Sequence, residues 1–86
     1  MASAQPNFDT DADILALFRQ AAWEVDRKKL EDLKMSDRIA ALGIDSVAML
    51  EVIGFFEESL EIHLPDEKLA RVQTLADLAG VIKSAR

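Results

Sequence analysis

Eighty-six residues are enough for one small domain and leave no room for a second. With no cysteine, the chain can build neither a disulfide framework nor a thiolate metal site. The net charge of −6 is concentrated between residues 31 and 60, where seven acidic side chains stand against two basic ones; such a field repels nucleic acid and steers basic protein surfaces.

Met1 to Phe8 reads as a flexible tail, with Pro6-Asn7 as a breaker, ahead of a domain spanning residues 9–86. The tail lacks the positive start and apolar run of a secretory signal, and no later segment has the apolar length needed to cross a bilayer. A cytoplasmic protein with no membrane insertion is expected. Asp9 or Thr10 can cap a first helix in which Ile14, Phe18, Ala21 and Val25 recur at i, i+4, i+7 and i+11. Asp9, Asp11 and Asp13 lie at its positive end and Arg27-Lys28-Lys29 at its negative end, in agreement with the helix dipole. The same aspartates have the opening spacing of a calcium loop. That reading fails because Ile14 stands where the loop needs glycine and Gln20 where it needs glutamate. Trp23, late in this helix, reads as a partly buried packing residue rather than a ligand platform.

From Leu30 to Leu42 the chain is a long connection, anchored by Leu30, Leu33, Met35, Ile39 and Leu42 without a sustained stripe. A short helix over Asp37 to Ala41, capped by Ser36, is expected within it. Gly43 then permits a tight turn, and Asp45 or Ser46 can accept hydrogen bonds from the first free N–H groups of a second helix. This helix runs from about Ser46 to Leu60, with Met49, Val52, Ile53, Phe56 and Leu60 as its core stripe. Val47, Leu50, Glu51, Gly54, Glu57 and Glu58 fall off that stripe and form an outward, mixed apolar and acidic face suited to brief docking. Gly54 costs about 1 kcal/mol relative to alanine, for close packing against a neighbouring helix or close approach by a partner.

Pro65 interrupts regular structure, and Asp66 can cap a short third helix through Leu69 or Ala70. Lys68 and Arg71 make this region less acidic than the second helix. Thr74 with Asp77 has the spacing of a capping box, and Leu75, Leu78, Ala79 and Ile82 form the apolar stripe of a last helix that ends near Lys83 and Arg86. His63 is the only histidine, with no second ligand at metal-binding spacing, so no metal site is read. No His-Asp pair is placed to activate Ser46, the nucleophile-elbow pattern is absent, and no catalytic residue is assigned.

Leu42-Gly43-Ile44-Asp45-Ser46, followed by Val47-Ala48-Met49-Leu50-Glu51, resembles the Asp-Ser-Leu attachment motif of acyl carrier proteins. Glu57-Glu58, then Ile62-His63-Leu64-Pro65-Asp66-Glu67, then Thr74-Leu75-Ala76-Asp77-Leu78 are similar, in the same order, to further segments of that family; the likeness covers Thr10 to Lys83. It implies an all-α, four-helix acyl-carrier-protein-like bundle with a long loop between helices I and II and a short helix III. It also implies a covalent 4′-phosphopantetheine on Ser46, with Asp45 beside it, supplying the thiol that this cysteine-free chain lacks. The implied partners are a phosphopantetheinyl transferase and the acyltransferases and synthases of fatty acid or polyketide synthesis, docking on Val47, Leu50, Glu51, Gly54, Glu57 and Glu58. A monomer that is not itself a catalyst follows from the same resemblance.

Two positions depart from the motif. Val47 replaces the usual leucine, and Ala48 stands where fatty-acid-type members carry an acidic residue; both bear on the choice of partners. Fatty acid synthesis is the first pathway implied. A discrete carrier for polyketide or other specialised lipid synthesis is the alternative, on Val47, Ala48, Lys68 and Arg71. A peptidyl or aminoacyl carrier is disfavoured by the lack of a Gly-Gly approach to the serine. An unmodified docking module would keep its activity in a Ser46→Ala variant, whereas a carrier would lose it. Phe55, Phe56, Ile62 and Leu64 are the expected lining for an acyl chain admitted to the core.

Overall fold

Four α-helices and one 3₁₀ turn make up the computed structural model, which describes residues 10–85. The Met1–Phe8 tail, Asp9 as an alternative cap, and Arg86 lie outside the described residues. Helix α1 spans Asp11–Asp26, the 3₁₀ turn Ile39–Leu42, α2 Ser46–Leu60, α3 Asp66–Leu69 and α4 Leu75–Ser84.

Local sequence sets these boundaries. Thr10 begins α1 with a full capping box, its hydroxyl accepting from the Asp13 N–H at 3.2 Å while the Asp13 carboxylate accepts from the Thr10 N–H at 3.3 Å. The helix ends at Arg27, a non-glycine residue at φ 50°, closed by Arg27 N–H to Trp23 O and Lys28 N–H to Ala22 O. The Arg27-Lys28-Lys29 run therefore follows the last turn instead of occupying it, because the chain has already turned left-handed there. Thr74 and Asp77 build a second capping box at α4. The expected caps of the two short elements differ from those found. Neither Ser36 nor Asp66 caps: the 3₁₀ turn starts after Arg38 and α3 after Pro65, both without a side-chain cap, because Ser36 lies two residues before the cap position and Asp66 is already the first residue of its helix.

Packing centres on α1 against α2, with Phe18 and Phe56 at a ring-centroid distance of 6.2 Å. Ile14, Leu17, Phe18, Ala21 and Ala22 are buried from α1, and Leu75, Leu78, Ala79 and Ile82 from α4. Val25 is only half-buried. The core ridge of α2 is Ala48, Val52, Phe56 and Leu60, one i, i+4 row, whereas Met49 and Ile53 are half-buried. This corrects both the expected stripe and the partner role given to Ala48, which is 5% exposed and faces the core. Trp23 is also corrected: it is 46% exposed, and the Arg27 guanidinium sits 5.4 Å from its ring centroid.

The long α1–α2 connection is stitched to the start of α4. Ile39 N–H donates to Gln73 O at 2.9 Å, Leu75 N–H to Asp37 O at 3.1 Å and Ala76 N–H to Met35 O at 2.9 Å. Leu33, Ile39 and Ile44 bury along the same connection. A loop that could have been a mobile strap is thus a fixed wall, and it delivers the chain to α2 at a set position.

Candidate functional site

Gly43 aims that delivery. It adopts φ 77°, a left-handed conformation that favours glycine; a Cβ there would come within 2.8 Å of the Lys28 Nζ, the end of a flexible side chain that can move aside, so the backbone conformation rather than space calls for glycine. Two residues on, Asp45 caps α2, its carboxylate accepting from the Ala48 N–H at 2.8 Å, and the Met49 N–H bonds to Asp45 O at 2.8 Å. Ser46 is the first residue of α2. Its side chain is exposed, and its hydroxyl has no hydrogen-bond partner among the described residues. The N–H groups of Ser46 and Val47 are also without partners there. An exposed hydroxyl beside two free N–H groups, at the positive end of a 15-residue helix, suits a phosphodiester.

A cleft of about 610 Å³ opens beside this hydroxyl. Ser46, Met49 and Ile53 border it from α2, Ile39 and Ile44 from the connection, and Leu69 and Val72 from α3 and the segment that follows. The lining is mostly apolar, with Arg38, Asp66 and Gln73 as its polar members besides Ser46. Of the lining expected from the sequence, none belongs to this cleft: Phe56 and Leu64 are sealed in the core, and Phe55 and Ile62 are half-buried elsewhere. Met49 and Ile53 line it because α3 is a single turn that buries none of its own residues and so fails to cover that side of α2.

The outward face divides. Val47 and Leu50 are 69% and 71% exposed, and Glu51 and Glu58 are exposed alongside them. Gly54 is half-buried, yet a Cβ added there would meet nothing within 4 Å, so no neighbouring helix requires glycine at this position. Glu57 is engaged: its Oε2 accepts from the Leu64 N–H at 2.8 Å and lies 3.4 Å from His63 Nδ1. That bond spans seven residues, beyond any local motif, and helical spacing gave no sign of it. Asp77 has its pKa lowered, because the backbone N–H groups of Gln73 and Thr74 donate to its carboxylate, with a further contribution from the Thr74 hydroxyl.

Residues 12–82 match the family described as phosphopantetheine attachment site. The chain belongs to that family. The acyl carrier protein of Rickettsia bellii is 32% identical over 57 residues, covering 65% of this chain and 66% of the relative, so the match spans just under two thirds of that protein's length. The anthracycline acyl carrier protein DpsG of Streptomyces peucetius is 34% identical over 65 residues, covering 73% and 74%. Among solved structures, the acyl carrier protein of Thermotoga maritima matches the fold with a TM-score of 0.80 at 24% identity, over 87% of this chain and 88% of that one. The 3,7-dioxo-octyl actinorhodin acyl carrier protein of Streptomyces coelicolor matches at 0.68 and 28%, over 88% of each chain. The expected four-helix carrier fold is the fold found. The function of this family is acyl carriage with 4′-phosphopantetheine as cofactor, a carrier's role rather than a catalyst's. No helix among the described residues is long and apolar enough to cross a membrane.

Proposed function

We propose that the hydroxyl of Ser46 is the attachment point, taking 4′-phosphopantetheine from coenzyme A under the action of a phosphopantetheinyl transferase. In that transfer Oγ forms the new bond to phosphorus, the pyrophosphate bond of coenzyme A breaks, adenosine 3′,5′-bisphosphate leaves, and the hydroxyl proton is lost. The bound arm supplies a thiol on which acyl groups are held as thioesters, better acyl donors than esters, at high effective concentration for each enzyme visited. Asp45 fixes the first turn of α2 so that Ser46 is presented outward. The cleft offers apolar shelter beside the attachment point. The observation that carries the reading is the unpartnered Ser46 hydroxyl at the mouth of that cleft.

Val47, Leu50, Glu51, Gly54 and Glu58 form the docking face for a transferase and for acyltransferases and synthases, with fatty-acid-type enzymes as the first assignment and a cytoplasmic monomer as the working form. The anthracycline and actinorhodin carriers among the similar proteins support a second reading, a discrete carrier for polyketide synthesis. The test is intact-protein mass after incubation with coenzyme A, magnesium and a broad-specificity transferase. Wild type gains one phosphopantetheine and Ser46→Ala gains none. A gain in the alanine variant, or none in folded wild type, contradicts the assignment. Loading the holo form with malonyl and saturated acyl groups, then presenting it to fatty-acid and polyketide synthases, separates the two pathways.

A further inference from the structure

A second groove, of about 330 Å³, runs between the α3 region and α4. Val72 and Val81 give it an apolar floor, Lys68 of α3 and Arg71 just after it stand on one side, and Asp77, Gly80 and Ser84 of α4 line the other. Val72 alone is shared with the cleft beside Ser46. The charges of this groove are unbalanced. Lys68 and Arg71 are exposed, and neither the ammonium nor the guanidinium has a hydrogen-bond or ion-pair partner among the described residues. The acidic residue in the lining, Asp77, has its carboxylate engaged by the Gln73 and Thr74 N–H groups at 3.0 and 3.1 Å. Of the two acids of α3, Asp66 lines the Ser46 cleft instead and Glu67 borders neither. Gly80 adds room: a Cβ there would meet nothing within 4 Å, so no packing inside the chain calls for this poor helix former in the middle of α4.

We propose that this groove is a second docking surface, for an acidic segment of a partner protein that sets carboxylates on Lys68 and Arg71 and an apolar side chain on the valine floor beside Gly80. Charge selects the occupant: the outward face of α2 offers Glu51 and Glu58, which attract basic surfaces, whereas the groove offers two unpaired cations in a chain of net charge −6. A short segment fits better than an anionic membrane. A broad charged surface meets the repulsive field of the whole chain, while a segment of a few residues meets the local one, within the screening distance of about 8 Å at physiological salt. Two faces of opposite sign let a partner hold the carrier by the groove while enzymes with basic surfaces visit α2, and the held contact raises the effective concentration for the second. The groove contact needs no phosphopantetheine, so it stands or falls separately from the assignment of Ser46.

The experiment is a titration of the full, unmodified, isotope-labelled chain with the peptide acetyl-Glu-Leu-Glu-Glu-Leu-Glu-amide, followed by amide chemical shifts. The amides of Lys68, Arg71, Val72, Gly80, Val81 and Ser84 shift together, those of Ser46, Glu51 and Glu58 stay in place, and the glutamine version of the peptide has no effect. Lys68→Glu with Arg71→Glu weakens binding about tenfold or more, and Gly80→Leu, which fills the floor, weakens it about fivefold. Lys29→Glu with Lys34→Glu, the same change in net charge elsewhere, leaves binding within about twofold of wild type. Lys68→Gln with Arg71→Gln, which removes the charges without reversing them, gives an intermediate loss. Equal weakening by the two charge-reversed pairs overturns the proposal, as does a response at Ser46 and Glu51 in place of the groove, or no groove shift at millimolar peptide. Groove shifts produced by phosphatidylglycerol vesicles and not by the peptide would assign the groove to a membrane. Concentration-dependent shifts of the groove and Glu51 amides without peptide would assign it to a second copy of this chain, and either result contradicts an acidic partner segment.

Discussion

Helices α2 and α4 begin alike and end up with different uses for the same chemistry. Each is capped by a short oxygen-bearing side chain that accepts from the third N–H of the helix, Asp45 from Ala48 at 2.8 Å and Thr74 from Asp77 at 3.1 Å. At α4 the first two N–H groups are then consumed by the connection, Leu75 on Asp37 O and Ala76 on Met35 O, and Asp77 accepts from Gln73 and Thr74 as well. At α2 the corresponding groups on Ser46 and Val47 have no partner among the described residues, and a hydroxyl stands beside them. A helix start whose donors are all spent is a joint; one that keeps two donors and a nucleophile in reserve is a place to attach something. The difference lies in what packs on each start, since the connection that covers α4 leaves α2 open.

Breaking one cap at a time sharpens this contrast. Asp45→Ala and Thr74→Ala each lose about 1 kcal/mol of stability in urea denaturation, the usual cost of a lost N-cap. Only Asp45→Ala also slows phosphopantetheine transfer, measured as initial rate, because only that cap orients a reacting residue. Gly54→Ala acts in the opposite direction and more weakly, stabilising the fold by up to about 1 kcal/mol, since the open space at its Cβ position removes any steric objection. If it also weakens docking to a partner enzyme, glycine is there for the partner's approach. The smallest effect belongs to Asp77. Its folded-state pKa is lowered, so its contribution is present in full above the ordinary carboxylate pKa and is lost as pH falls through the folded value. Asp77→Asn therefore flattens the acid limb of the stability profile while leaving Asp45-dependent transfer unaltered near neutrality.

Much of this was readable from the chain because the deciding interactions are local. The Gly43 turn, the Asp45-Ser46 start and the apolar spacing bound α2 at Ser46 and Leu60, and Thr74 with Asp77 announced α4. What periodicity missed depends on neighbours far along the chain. Hydropathy ranks Met49 and Ile53 above Ala48, yet α1 packs on the row containing Ala48 and Phe56, and single-turn α3 leaves Met49 and Ile53 on the cleft. Trp23 stands exposed beside the Arg27 guanidinium where a partly buried packing residue was expected. Glu57 read as a docking carboxylate because its bond to Leu64 exists only once the chain has reversed after α2. The family resemblance located Ser46; the reason its N–H groups stay open, a connection that spends itself on α4, needed coordinates.

The central claim is that the open start of α2, and not the closed start of α4, receives the prosthetic group. Its most direct test is site localisation by tandem mass spectrometry on protein treated with coenzyme A and transferase. The account predicts phosphopantetheine on Ser46 alone, with Thr74 and the other serines unmodified. Modification at any other hydroxyl, or spread among several, would contradict it.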